Sequence, residues 1–163
     1  MLKEYSSLVE SAKSRKREIR KFIDRLKKLR PPDLDEVCNN LNDEAFQSID
    51  CVQCANCCRT TGPLLRGKDI RHLATSMKMR QSSFTEEYLR IDEEGDYIFK
   101  KMPCPFLGTD NLCSVYSSRP GACADYPHTH QSKILNKLEI TYHNSMICPA
   151  VAKVVEGLMR AYS

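Results

Sequence analysis

The chain has 163 residues, of which 41% are hydrophobic and none is Trp, and its formal net charge is +4. That length makes one domain with an appended element, and no apolar run approaches the ~20 residues that a membrane-spanning helix needs. Nine cysteines with no apolar signal segment after Met1 set the expectation of a cytoplasmic protein, where thiols serve metals more readily than disulfides.

Residues 2–30 read as one helix, because Leu8, Ala12, Ile19, Phe22, Ile23, Leu26 and Leu29 recur at helical spacing. The same stretch holds eleven Lys or Arg against four Asp or Glu, a net +7 in a chain that carries +4 overall. A helix of about 28 residues extends roughly 42 Å, beyond the ~30 Å expected of the compact remainder. Part of its stripe should therefore project and pair with a second copy or an unknown protein partner, with nucleic acid the less favoured alternative. Pro31-Pro32 ends the helix. Asp33 followed by Glu36 signals the next start, and Leu34, Val37, Cys38, Leu41 and Ala45 mark its apolar face. Cys38 lies on that face and reads as a small buried hydrophobe, not a ligand. Residues 1–48 thus read as a helical arm, and residues 49–163 as a cysteine-cluster domain with a C-terminal helix.

Cys51, Cys54, Cys57 and Cys58 fall within eight residues, and the two-residue gaps let successive sulfurs turn back toward one centre. Side chains of the adjacent Cys57 and Cys58 tend to point apart, so one of the two would serve a second centre. Lys68 to Met77 reads as a helix with Ile70, Leu73 and Ala74 inward and His72 at the surface. Ser82 or Ser83 should cap a short helix carrying Phe84, Tyr88 and Leu89. Glu94-Gly95-Asp96 is a turn, and Tyr97-Ile98-Phe99 suits a strand. Cys104 and Cys113 flank a turn at residues 108–111, as in a metal knuckle. Cys123 follows Arg119-Pro120-Gly121-Ala122. Lys137 to Tyr142 reads as a strand. Cys148-Pro149 opens the last helix, with proline at the tolerated first position. The fold class is mainly α with small β and loop elements.

Cys51, Cys54, Cys57, Cys58, Cys104, Cys113, Cys123 and Cys148 make two sets of four. Four thiolates suit either a closed zinc site or an iron–sulfur cluster. One partition groups Cys51, Cys54 and Cys57 with Cys148, and Cys58 with Cys104, Cys113 and Cys123; interleaved pairings fit the spacing equally. Asp125, His128 and His130 are not counted as ligands, and a reactive role for them would require a shared pocket. The sequence has no glycine-rich phosphate loop, no Gly-x-Ser-x-Gly and no His-Glu-x-x-His. A saturated thiolate site leaves no open position for water.

Cys51-x2-Cys54-x2-Cys57-Cys58, Cys104-Pro-Phe-Leu, Cys113-x-Val-Tyr, Arg119-Pro-x2-Cys123-x2-Tyr-Pro and Cys148-Pro stand in this order. Together they resemble the CxxCxxCC family, the YkgJ-type cysteine cluster proteins, over about residues 50 to 150. The resemblance implies chelation of zinc or iron, including a 4Fe-4S cluster, by the eight cysteines. A similar cysteine domain occurs in flagellin lysine-N-methylase. It therefore also implies, as the alternative, an iron-dependent enzyme that modifies a protein or peptide.

Overall fold

The computed structural model describes residues 1–163. In chain order the elements are α1 (Lys3–Ser14), α2 (Lys16–Leu29), α3 (Leu34–Ser48), α4 (Cys51–Cys54), α5 (Asn56–Thr60), α6 (Gly67–Ser76), α7 (Gln81–Tyr88), β1 (Leu89–Ile91), β2 (Tyr97–Phe99), α8 (Gly121–Asp125), α9 (Leu138–Ser145) and α10 (Pro149–Ala161), with 3-10 turns at Tyr116–Ser118 and Ile134–Lys137. The chain is mainly helical with one small sheet. No helix is long and apolar enough to cross a membrane. Two compact units are present: Met1–Cys54 with Pro127–Ser163, and Ala55–Tyr126.

The first unit is a helical bundle in which α10 packs against α1, α3 and α9. The single helix expected over residues 2–30 is broken at Arg15, where φ is −97° and ψ 14°. The break has a packing cause. α1 buries Tyr5, Val9 and Ala12 and lies against α10, whereas α2 buries Ile19, Phe22, Ile23 and Leu26 and lies against α9. One straight helix could not follow both partners. The apolar stripe is thus covered by the unit's own helices, and of its residues only Leu29 is left strongly exposed. Arg20 stacks over the Tyr142 ring at 3.6 Å and pairs with Glu139 at 2.8 Å, which fixes α2 on α9.

Two further expectations are corrected in this unit. Asp33 makes no capping bond to α3; its Oδ1 instead accepts the Tyr162 hydroxyl at 2.9 Å. Residues 137–142 are not a strand. Their alternating pattern competes with a helical one, and burial follows Leu138, Thr141, Tyr142 and Ser145, the three- and four-residue spacing of α9. At the crossing of α10 on α3, a Cβ on Gly157 would lie 2.5 Å from Leu41 Cδ2, so the two helices approach more closely than any larger residue allows without movement.

The second unit has its own smaller core of Leu65, Ile70, Leu73, Ala74, Phe84, Leu89, Phe99, Phe106 and Val115. Phe106 is its centre, with ring centroids 6.2 Å from Phe84 and 5.6 Å from Phe99. The strand expected at Tyr97–Phe99 forms, pairing antiparallel with β1 through Leu89–Phe99, Arg90–Ile98 and Ile91–Tyr97. Gly95, at φ 88°, makes the turn between them. His72 is exposed, as expected. The helix expected after Ser82 begins earlier, at Gln81, with no side-chain cap, so neither serine serves as one.

Candidate metal centre

In the first unit, Asp50 starts the single turn α4. Its Oδ1 accepts the Val52 N–H at 2.8 Å, and its own N–H donates to the Tyr5 hydroxyl at 3.0 Å. The turn places Cys51 and Cys54 three residues apart on one face. Cys51 is exposed and Cys54 buried. Cys148 sits at the N-cap position of α10 and makes no side-chain capping hydrogen bond, with the Val151 and Ala150 N–H groups of the first turn as its neighbouring donors. Those donors favour a thiolate, as at other helix N-termini. Burial outweighs them and pushes the Cys148 thiol up to about 12, with Cys51 and Cys54 adding to the rise. The three sulfurs therefore share one electrostatic environment.

The second unit gathers its thiols from three stretches. Cys58 comes from α5. Its carbonyl accepts the Cys104 N–H at 2.8 Å, which ties the next stretch to it. Residues 104–113 form a loop closed by the Leu107–Cys113 bridge, with the Gly108 N–H donating to the Leu112 carbonyl at 2.8 Å. Asn111, at φ 65°, makes the turn, and the Arg59 guanidinium donates to its side-chain oxygen, a second tie between α5 and the loop. The Leu107 N–H donates to the Cys104 carbonyl at 3.1 Å, which turns the chain directly after the cysteine. Cys123 comes from α8, whose first N–H, on Gly121, donates to Asp69 Oδ1 at 3.0 Å.

Burial raises the Cys104 thiol, and Cys58 and Cys113 raise it further. Burial likewise pushes Cys123 up to about 12, with Cys58, Cys104 and Cys113 as additional causes, although the residue as a whole is exposed. Cys58 moves the other way, down to about 7, because the Cys57 thiol hydrogen-bonds it and Arg59 stands near; the two sulfurs are 3.9 Å apart. Cys58 and Cys113 thus act electrostatically on Cys104, and all three on Cys123.

The donor chemistry fits a thiophilic cation. Crowded thiols that resist ionisation one beside another are the groups a bound cation would deprotonate. The spacing is not that of a closed metal cage, since no three His, Cys, Asp or Glu side chains converge as a ligand group. Zinc–sulfur bonds of about 2.3 Å would require the sulfurs to move inward, as is usual where binding and final folding are coupled. Cys38 is a core residue, as expected: it is fully buried, its sulfur faces the Thr129 carbonyl at 3.6 Å, and burial pushes its thiol up to about 12. Asp125 belongs to the second unit and His128 and His130 to the first. His130 is exposed, with Nδ1 3.6 Å from Asp43 Oδ1.

Arg59 and Asp69 were not legible as site residues. Arg59 adjoins Cys58 and could have been noticed as a local positive charge. Asp69 carries no signal in the sequence, since its partner Gly121 lies 52 residues away.

Residues 50–149 match a family described as "CxxCxxCC: Putative zinc- or iron-chelating domain". No curated protein and no solved structure matches the chain. The match takes in all eight clustered cysteines and more than half of the sequence, and on that ground the chain belongs to the CxxCxxCC family.

Proposed function

We propose that this protein binds zinc or iron through thiolate centres built from Cys51, Cys54, Cys57, Cys58, Cys104, Cys113, Cys123 and Cys148. The observation that carries the reading is that one compact unit holds Cys58, Cys104, Cys113 and Cys123, with the Cys104 N–H on the Cys58 carbonyl at 2.8 Å and the Leu107–Cys113 bridge closing the loop between two of them. These four supply a complete set for one tetrahedral ion or one cluster. Cys51, Cys54 and Cys148 are the candidate ligands of the first unit, and Cys57 is a further one in the second. When bound, the metal supplies charge neutralisation and cross-links between stretches of chain. The chain's own residues would do the rest: the Cys58 carbonyl holds the Cys104 N–H at 2.8 Å, the Arg59 guanidinium holds the 104–113 loop through Asn111, and the charge of Arg59 favours the Cys58 thiolate.

The test is elemental. The chain is purified without added metal, and zinc, iron and acid-labile sulfide are measured per chain. Colourless protein carrying zinc assigns a structural zinc role. Brown protein with labile sulfide assigns an iron–sulfur cluster. A folded, metal-free chain that takes up neither metal overturns the proposal.

A further inference from the structure

Within the second unit, two of the three thiol-bearing stretches are tied directly: Cys104 N–H to the Cys58 carbonyl, and Arg59 to Asn111. The third, α8, is held by the Asp69 carboxylate. Asp69 lies in the first turn of α6 and is only 6% exposed. Its Oδ2 accepts the Arg66 N–H at 2.8 Å and its Oδ1 the Gly121 N–H at 3.0 Å. A buried carboxylate is costly unless charge-assisted hydrogen bonds hold it, and both oxygens here have a backbone donor.

The first of these bonds alone would not need an aspartate, since Ser, Thr or Asn can satisfy the N–H groups at a helix start. The second one does. Two N–H groups from separate segments must each meet an acceptor at the same time, and the carboxylate presents a separate oxygen to each. An asparagine would turn its NH2 toward one of the donors. Gly121 is the first residue of α8, and Cys123 follows two residues later.

We propose that Asp69 is a positioning residue for Cys123, fixing the start of α8 so that this sulfur joins Cys58, Cys104 and Cys113. This rests on the metal-binding reading above and adds the residue that holds the fourth thiol in place.

The experiment uses the full chain with cobalt(II) as the probe, because sulfur-to-cobalt charge-transfer absorption reports how many thiolates bind. Wild type, Asp69→Asn, Cys123→Ser and Asp92→Ala are compared by cobalt titration against a competing chelator. Asp92 is a control from the same unit: its Oδ1 accepts the Glu94 and Asp96 N–H groups at the β1–β2 turn, away from the cysteines. Asp69→Asn should weaken cobalt binding about 10- to 100-fold and lower the charge-transfer intensity toward that of Cys123→Ser. Asp92→Ala should leave both near wild type.

Asp69→Ser keeps an acceptor for the Arg66 N–H, as serines do at helix starts, but offers only one shorter-reaching oxygen for two segments. It should reproduce the loss, and it decides the matter if Asp69→Asn fails to fold. Wild-type affinity and absorption in both Asp69→Asn and Asp69→Ser would overturn the role of Asp69. A wild type that takes up no cobalt would instead overturn the metal-binding reading, and this role with it.

Discussion

The helical unit buries twenty apolar residues in one cluster, from Tyr5 on α1 to Leu158 on α10, whereas the cysteine-rich unit buries nine around Phe106. The first is long helices packed side by side. The second is short helices, a two-stranded sheet and loops, with five thiols where a larger protein would place more core. Small cores seldom stabilise a fold unaided, and a structural metal is one of the usual remedies. The difference teaches which unit should depend on metal.

Removing the metal is the strongest way to break the comparison. Structural zinc contributes on the order of 10–16 kcal/mol to small metallo-domains. A strong chelator should therefore abolish amide-exchange protection in residues 55–126, while α2, α3 and α10 stay protected. Equal loss in both units, followed by exchange mass spectrometry, would mean that the helical core does not stand by itself.

Next comes Phe84→Ala. The side chain is fully buried in the smaller core, and its loss should cost about 3–5 kcal/mol. Chemical denaturation of the metal-loaded chain should show this cost confined to the second unit's transition.

Alkaline pH should sharpen the contrast from the other side. Cys38 belongs to the core of the first unit, and burial holds its thiol at about 12 against an ordinary 9.0. A raised thiol value means the neutral form is the one that fits the fold. Its contribution is complete below the ordinary value and is lost as pH rises from about 9 toward about 12, by roughly 1.4 kcal/mol per pH unit. Thermal melts over that window should show the first unit weakening, and Cys38→Ala should remove that part of the alkaline loss.

Gly157→Ala tests the tight crossing of α10 on α3. The added methyl meets the Leu41 side chain and should cost about 1–3 kcal/mol, partly offset by about 1 kcal/mol of better helix propensity. A lowered melting temperature of the first unit is the expected result.

The smallest effect belongs to Glu139. Its hydrogen bond from Arg20, then that from Lys27, pulls its carboxyl well below the usual range. The stabilisation is present above the ordinary carboxylate value and fades as pH falls through the depressed one. The pair is half exposed, so Glu139→Gln should cost no more than about 1 kcal/mol at neutral pH, with even less effect in high salt.

Local pattern by itself determined that this is a mainly helical, cysteine-clustered chain. It marked α3, α6, α10 and β2, because apolar period, glycine and proline act over a few residues. It also determined the eight candidate ligands and set Cys38 apart, since two-residue gaps, Cys-Pro pairs and an apolar helical stripe are readable without any fold. Only the tertiary structure decided the rest. It bent the basic segment at Arg15, because α9 and α10 offer two different faces to cover, and it made residues 138–145 a helix, because Leu138 and Tyr142 have a core on one side and no strand to pair with. It also tied the Cys104 N–H to the Cys58 carbonyl, and placed Asp69 against Gly121. Those choices depend on contacts between residues tens of positions apart, whose energies no local spacing records.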